Sequence, residues 1–162
     1  MKITPLEKWI ADKIGTTGPP GPDQLRTYQL EKIRQTIDYV KRSSRFYKER
    51  LPGLDAGAIR STDDIAALPF TYPADIAGRP NDFLCVSPRE IERIVTLGTS
   101  GTTGSPKRVF FTRDDQELTV DFFHRGMTTL TDEGDRVLIC MPGGTQGSVG
   151  DLLKKGLDRL GC

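Results

Sequence analysis

Cysteine, histidine and tryptophan are scarce in this chain, which holds three, one and one of them in 162 residues. Cys85, Cys140 and Cys162 are odd in number and show no CxxC spacing, which argues against a disulfide framework or a thiolate zinc site. A lone His124 leaves no histidine cluster, so no metal ligands are assigned, and it is expected on a helix face with no catalytic role. No apolar run approaches the roughly 20 residues needed to cross a bilayer. Met1 to Lys8 has none of the apolar centre of a secretion signal. Lysines and arginines outnumber acidic residues by 23 to 22, so net charge is +1 and no basic field for nucleic acid exists. The chain reads as cytoplasmic, with no nucleic-acid partner and no membrane association.

Seventeen glycines and eleven prolines stand out against those absences. Gly18-Pro19-Pro20-Gly21-Pro22 is a breaker cluster that should stop any first helix. Trp9, ahead of it, is expected to dock this entry segment by apolar burial. Asp23 reads as the cap of a helix from Gln24 to about Ser43, with Leu25, Ile33, Ile37 and Val40 at helical spacing as its core face. Between Leu51 and Pro80 only short elements are expected, including a capped turn at Ser61 to Leu68. From Phe83 the texture becomes strand-like, and Cys85 reads as buried there. Thr112 is set to cap a helix from Arg113 to about Leu130, with Asp115 at its third position and Leu118 and Phe122 facing inward. Arg136 to Cys140 reads as a short buried strand, and Ser148 or Gly150 as the start of a last helix reaching Leu160. Helices and strands in that order suit an α/β fold. A mainly helical region, 1–80, would precede an α/β region, 81–162.

The densest chemistry lies in Leu97 to Lys107, where four hydroxyl residues and three glycines fill Gly98 to Gly104. Glycine lets backbone approach a ligand closely, and successive free N–H groups form a nest suited to phosphate oxygens. Thr99, Ser100, Thr102 and Thr103 add hydroxyl donors, and Lys107 adds a positive charge. The spacing fits neither the Walker A loop nor the dinucleotide fingerprint, because Gly104 leads into Ser105-Pro106-Lys107 and Gly98, Gly101 and Gly104 are three apart. The flanks, Ile91 to Leu97 and Arg108 to Thr112, both read as strands. Without a helix N-terminus at the loop, N–H groups, hydroxyls and lysine must hold the phosphates. A ligand-free turn of the same composition is the alternative, though a simple hairpin needs only two to five connecting residues. A second glycine-rich loop, Met141 to Gly147, reads first as a strand-to-helix turn.

Thr99-Ser100-Gly101-Thr102-Thr103-Gly104-Ser105-Pro106-Lys107 resembles the phosphate-loop signature of adenylate-forming enzymes. Leu68-Pro69-Phe70-Thr71 with Asp75-Ile76, Thr112-Arg113-Asp114-Asp115, and Ser44-Arg45-Phe46-Tyr47 resemble segments of the phenylacetate-CoA ligase-like branch. The resemblance implies an incomplete N-terminal portion of that family's large domain. It implies activation of a carboxylic acid by ATP to an acyl-adenylate, with magnesium on the phosphates, and transfer of the acyl group to coenzyme A. It makes Thr99, Ser100, Gly101, Thr102, Thr103, Gly104 and Lys107 the cofactor-binding residues and is compatible with a homodimer of a full-length protein. It also makes the second loop a wall of the acyl or coenzyme A side.

The motifs that complete such a site in the family match nothing in this chain, so no catalytic residue is assigned. Enzymes lower barriers by about 8–23 kcal/mol, whereas one charge on a phosphate supplies about 4 kcal/mol at an effective dielectric of 20. The expectation is therefore a fragment that is inactive alone, the rival reading being a stand-alone nucleotide- or partner-binding module.

Overall fold

Proline opens much of the helical structure: Pro5, Pro22, Pro73, Pro80 and Pro88 each stand at the first position of a helix or 3-10 turn. The first turn needs no N–H from that residue, and the ring already holds the helical φ. The structure, a computed structural model, describes residues 5–97 and 106–162. Its helices are α1 (Pro5–Ile14), α2 (Pro22–Ser43), α3 (Arg45–Arg50), α4 (Pro73–Gly78), α5 (Arg113–Met127) and α6 (Val149–Leu160). Strands β1 (Ile91–Leu97) and β2 (Lys107–Thr112) pair in a two-stranded sheet. The nine residues between them are too few for a parallel crossover, so the pair is a hairpin. The chain forms two compact units, one joining Met1–Gln24 with Thr112–Cys162 and the other comprising Leu25–Phe111.

In the second unit, α2 presents Leu30, Ile33 and Ile37 to Leu54, Ala56, Ile59 and Leu68. Arg34 Nε donates to the carbonyl of Ile59 at 2.7 Å, and Lys41 Nζ donates to that of Leu54, so the helix also holds the following coil by its polar edge. Leu25, expected on the core face, is exposed. Asp23 lies inside the first turn rather than capping it, because the helix begins two residues earlier than expected. There the Gly21 N–H is taken by Gln24 Oε1 at 2.9 Å.

A second cluster forms around α3. Phe46 is buried and stacks on Phe83 with ring centroids 4.2 Å apart, while Tyr47 meets both rings edge-on. Buried Ser44 caps α3 and donates its hydroxyl to the Asp82 carbonyl at 2.8 Å. Arg79 lies 5.3 Å over the Phe46 ring and pairs with Glu49 at 2.9 Å. That hydrogen bond, with a second from Arg45, holds the Glu49 carboxyl below its usual range. Phe83 thus ends a 3-10 turn rather than entering a strand, and the coil at Leu84 and Cys85 carries no ladder. Cys85 is half-buried, and burial raises its thiol pKa.

The first unit is built on α5 and α6. Ser148 caps α6, accepting from the Asp151 N–H, and Gly161 ends it in the left-handed conformation at φ 86°. Leu152, Leu153, Leu157 and glycines 150 and 156 form its buried stripe. Gly156 lets α5 approach closely, since a Cβ there would stand 2.9 Å from both the His124 nitrogen and Phe123 Cβ. Val120, 1% exposed, is the α5 residue buried beside it. Leu118 and Phe122, expected to face inward, are instead 56% and 55% exposed. Apolar residues surround α5, so helical periodicity admits two stripes, and the glycine surface of α6 selects the one holding Val120 and Phe123. The helix also ends at Met127, short of Leu130.

Trp9 docks α1 on α5 by mixed means. Its Nε1 donates to Asp121 Oδ2 at 2.8 Å, its ring meets Phe122 edge-on at 6.3 Å, and Lys13 lies 5.4 Å over it. Arg136 to Cys140 forms no strand. Leu138 is 86% exposed and Cys140 is exposed. A buried strand needs neighbours on a ladder, and among the described residues the only sheet is β1 with β2.

Candidate functional site

The hairpin positions the loop that dominates the sequence. β1 ends at Leu97 and β2 begins at Lys107, so both ends of the loop are anchored on paired strands. Lys107 is half-buried as the first residue of β2, at the base of the loop. Thr99, Ser100, Gly101, Thr102, Thr103 and Gly104 lie outside the described residues. Beyond β2, Thr112 forms a reciprocal cap with Asp115. The Thr112 hydroxyl accepts from the Asp115 N–H at 3.1 Å, and the Asp115 carboxylate accepts from the Thr112 N–H at 2.8 Å. This fixes the start of α5 where the sequence predicts it.

Beside the hairpin is an open recess of about 460 Å³ lined by Leu84, Val86, Ile91, Ile94 and Phe110, with Asn81 as a polar residue on its wall. It supplies apolar contact and no ionisable group, so it offers no acid–base chemistry. No group of three or more His, Cys, Asp or Glu among the described residues could hold a metal ion.

The second glycine-rich loop closes against α6. Gly150 N donates to the Pro142 carbonyl at 3.0 Å, and a Cβ on Gly150 would meet that oxygen at 2.7 Å. Gly147, at φ 71°, donates its N–H to Asp151 Oδ2 at 2.6 Å, and Lys155 pairs with the same carboxylate at 2.9 Å. Asp151 and Ser148 therefore occupy N–H groups that an anion would otherwise find at the start of α6. Sequence reading overlooked Asp151, although its place three residues after Ser148 is a capping signal. His124 packs on α6 with Nδ1 3.3 Å from the Gly156 carbonyl.

No family model matches the chain. Among curated proteins it is 29% identical over 108 residues to a phenylacetate-coenzyme A ligase of Thermus thermophilus, covering 65% of this chain and 24% of that protein. It is 28% identical over 145 residues to the phenylacetate-coenzyme A ligase of Pseudomonas putida, covering 86% of this chain and 32% of the other. The chain is thus similar to phenylacetate-coenzyme A ligases. It spans about a quarter to a third of the length of these relatives. Among solved structures it matches 2-hydroxyisobutyryl-CoA ligase in complex with 2-HIB-AMP and CoA in the thioesterification state, with a TM-score of 0.66 and 23% identity. That match covers 87% of this chain and 31% of the other. An open conformation of the same ligase matches with a TM-score of 0.66 and 21% identity, covering 86% of this chain and 34% of the other. The fold of this chain is thus that of the matched part of 2-hydroxyisobutyryl-CoA ligase, a mixture of helices and strands as the resemblance implies.

Proposed function

We propose that this chain is the phosphate-binding N-terminal portion of an ATP-dependent, AMP-forming carboxylate–CoA ligase. The observation that carries this reading is the similarity to phenylacetate-coenzyme A ligase over 86% of the chain. A contiguous match of that extent necessarily includes the glycine–hydroxyl loop in the chain's middle. In the complete protein a substrate carboxylate oxygen attacks the α-phosphorus of ATP, and pyrophosphate leaves. The thiol of coenzyme A then attacks the acyl carbonyl, and AMP leaves.

Within that reading, residues 1–80 form a helical lead-in and 81–162 the α/β region that bears the loop. Gly101 and Gly104 offer backbone N–H groups to the β- and γ-phosphates, and Thr99, Ser100, Thr102 and Thr103 offer hydroxyls. Lys107, standing where the loop rejoins the sheet, supplies positive charge. Magnesium, a hard cation that keeps most of its waters, would neutralise phosphate oxygens beside the loop. A cytoplasmic setting goes with ATP and coenzyme A as substrates. The groups that would hold adenine, ribose and the acid lie in the remainder of such a protein, so the 162-residue chain alone binds phosphate without turning over.

In a full-length protein carrying this sequence, valine at Gly101 and Gly104 is expected to abolish pyrophosphate release driven by a carboxylic acid, with an unchanged circular dichroism spectrum. Undiminished release from the folded variant would reject the assignment. For the chain alone, calorimetry with magnesium-ATP is expected to show binding that Lys107→Ala weakens. A pyrophosphate assay of the same sample should read zero.

A further inference from the structure

Two helices of the first unit begin with a hydroxyl followed three residues on by an aspartate, and the two aspartates do different things. In α5 the Asp115 carboxylate returns to the N–H of the cap residue itself, at 2.8 Å. In α6 the cap N–H is already engaged, because Ser148 donates it to the Thr145 carbonyl at 2.9 Å. Asp151 reaches one residue further back and takes the N–H of Gly147 at 2.6 Å. Its carboxylate holds the loop rather than the helix, which Ser148 caps with its own hydroxyl. Lys155, one turn along α6, pairs with the same oxygen at 2.9 Å, and only 22% of the Asp151 side chain is exposed. Near the other end of the loop, the Pro142 carbonyl accepts from the Gly150 N–H at 3.0 Å. The loop from Met141 to Gly147 is thus fastened to α6 at both ends, with Gly147 buried and residues 141–146 exposed.

We propose that Asp151 is a positioning residue for the acid substrate: acting through the Gly147 N–H, it fixes this loop as a rigid wall for the acyl group. The inference rests on the ligase reading given above. Residues 141–146 carry no ionisable group. Their surface therefore suits the uncharged body of an acid rather than the phosphates of coenzyme A, which favour charged donors. Nothing lies within 4 Å of where a Cβ on Gly144 would stand, so this stretch takes its shape from its two fastenings and not from side chains packed beneath it. Gly147 is at φ 71°, and as a glycine it has other conformations open to it once its N–H is released. Cutting the Asp151 fastening therefore changes the fit of the acid, while every residue of the phosphate loop is left unaltered.

In a full-length protein carrying this sequence, Asp151→Ala should raise KM for the carboxylic acid about tenfold. KM for ATP and kcat should stay within about twofold, as expected when only binding of the acid is lost. Asp151→Asn, which keeps an oxygen acceptor for Gly147, should recover most of that loss. A residue that only stabilised the fold would lower the melting temperature without separating the two KM values. In the 162-residue chain, Asp151→Ala should speed hydrogen exchange at the Gly147 amide about tenfold and leave the Leu153 and Leu157 amides of α6 protected. KM values for acid and ATP that rise together overturn the proposal. So does an unchanged KM for the acid, or a Gly147 amide indifferent to Asp151→Ala. If the unaltered full-length protein shows no acid-dependent pyrophosphate release, the ligase reading itself is rejected, and that is seen before any variant is made.

Discussion

At the scale of single residues, small side chains decide more than large ones. Gly156 is the clearest case, because its missing Cβ is the space into which His124 and Phe123 fit. Two of the atoms that a methyl group would strike belong to α5 backbone, so the helices must separate to admit it. Alanine gains about 1 kcal/mol of helix propensity over glycine, yet overpacking costs about 1–3 kcal/mol. Gly156→Ala is therefore expected to lower stability despite the better helix former, as a reduced urea midpoint will record. Cys85 and Cys140 read alike in the sequence but differ in the fold. Both sit in short apolar runs, and such runs carry no mark of whether a neighbour covers them. The structure half-buries Cys85 and exposes Cys140. A thiol probe should label Cys140 in the native chain well before Cys85, whose raised pKa also leaves less thiolate.

At the scale of elements, the start of α5 was legible and its buried face was not. The Thr112–Asp115 cap stands where a hydroxyl followed by an acid three residues on predicts it, and Ser148 is one of the two starts read for the last helix. Their hydrogen bonds are local, so the local sequence suffices. Thr112→Ala should cost about 1 kcal/mol by removing an acceptor for the first turn, measurable by chemical denaturation. The inward stripe of α5 depends on α6, thirty residues downstream, and no period within α5 could choose between Leu118 and Val120. For the site, the sequence supplied the loop and its strand flanks, whereas the apolar recess of Leu84, Ile94 and Phe110 needed the fold to assemble it. Arg159 joins α6 to Glu117 on α5, and its hydrogen bond holds that carboxyl below the ordinary 4.5. A depressed value means the unfolded chain binds more protons, so the contribution is complete above pH 4.5 and fades as pH falls through the lowered value. Glu117→Gln should accordingly flatten the acid limb of thermal stability below that pH and change little at neutrality.

At the scale of the molecule, the chain spans about a quarter to a third of the length of the relatives it matches, and one described segment lacks the neighbours its composition suits. Val137 to Cys140 has the composition of a buried strand and the exposure of a surface one. Sequence composition reports the environment a segment is suited to, and here that environment is absent from the described residues. Leu138→Lys should then improve solubility while leaving the unfolding free energy from urea titration within about 0.5 kcal/mol, since an exposed side chain gives up no packing. No helix among the described residues is long and apolar enough to cross a membrane. Trp9, finally, is the chain's one tryptophan, and it stands at the joint between α1 and α5 with its indole N–H on a carboxylate. Intrinsic fluorescence will therefore follow the release of that joint rather than the melting of the chain as a whole, and a transition seen by emission need not coincide with one seen by ellipticity.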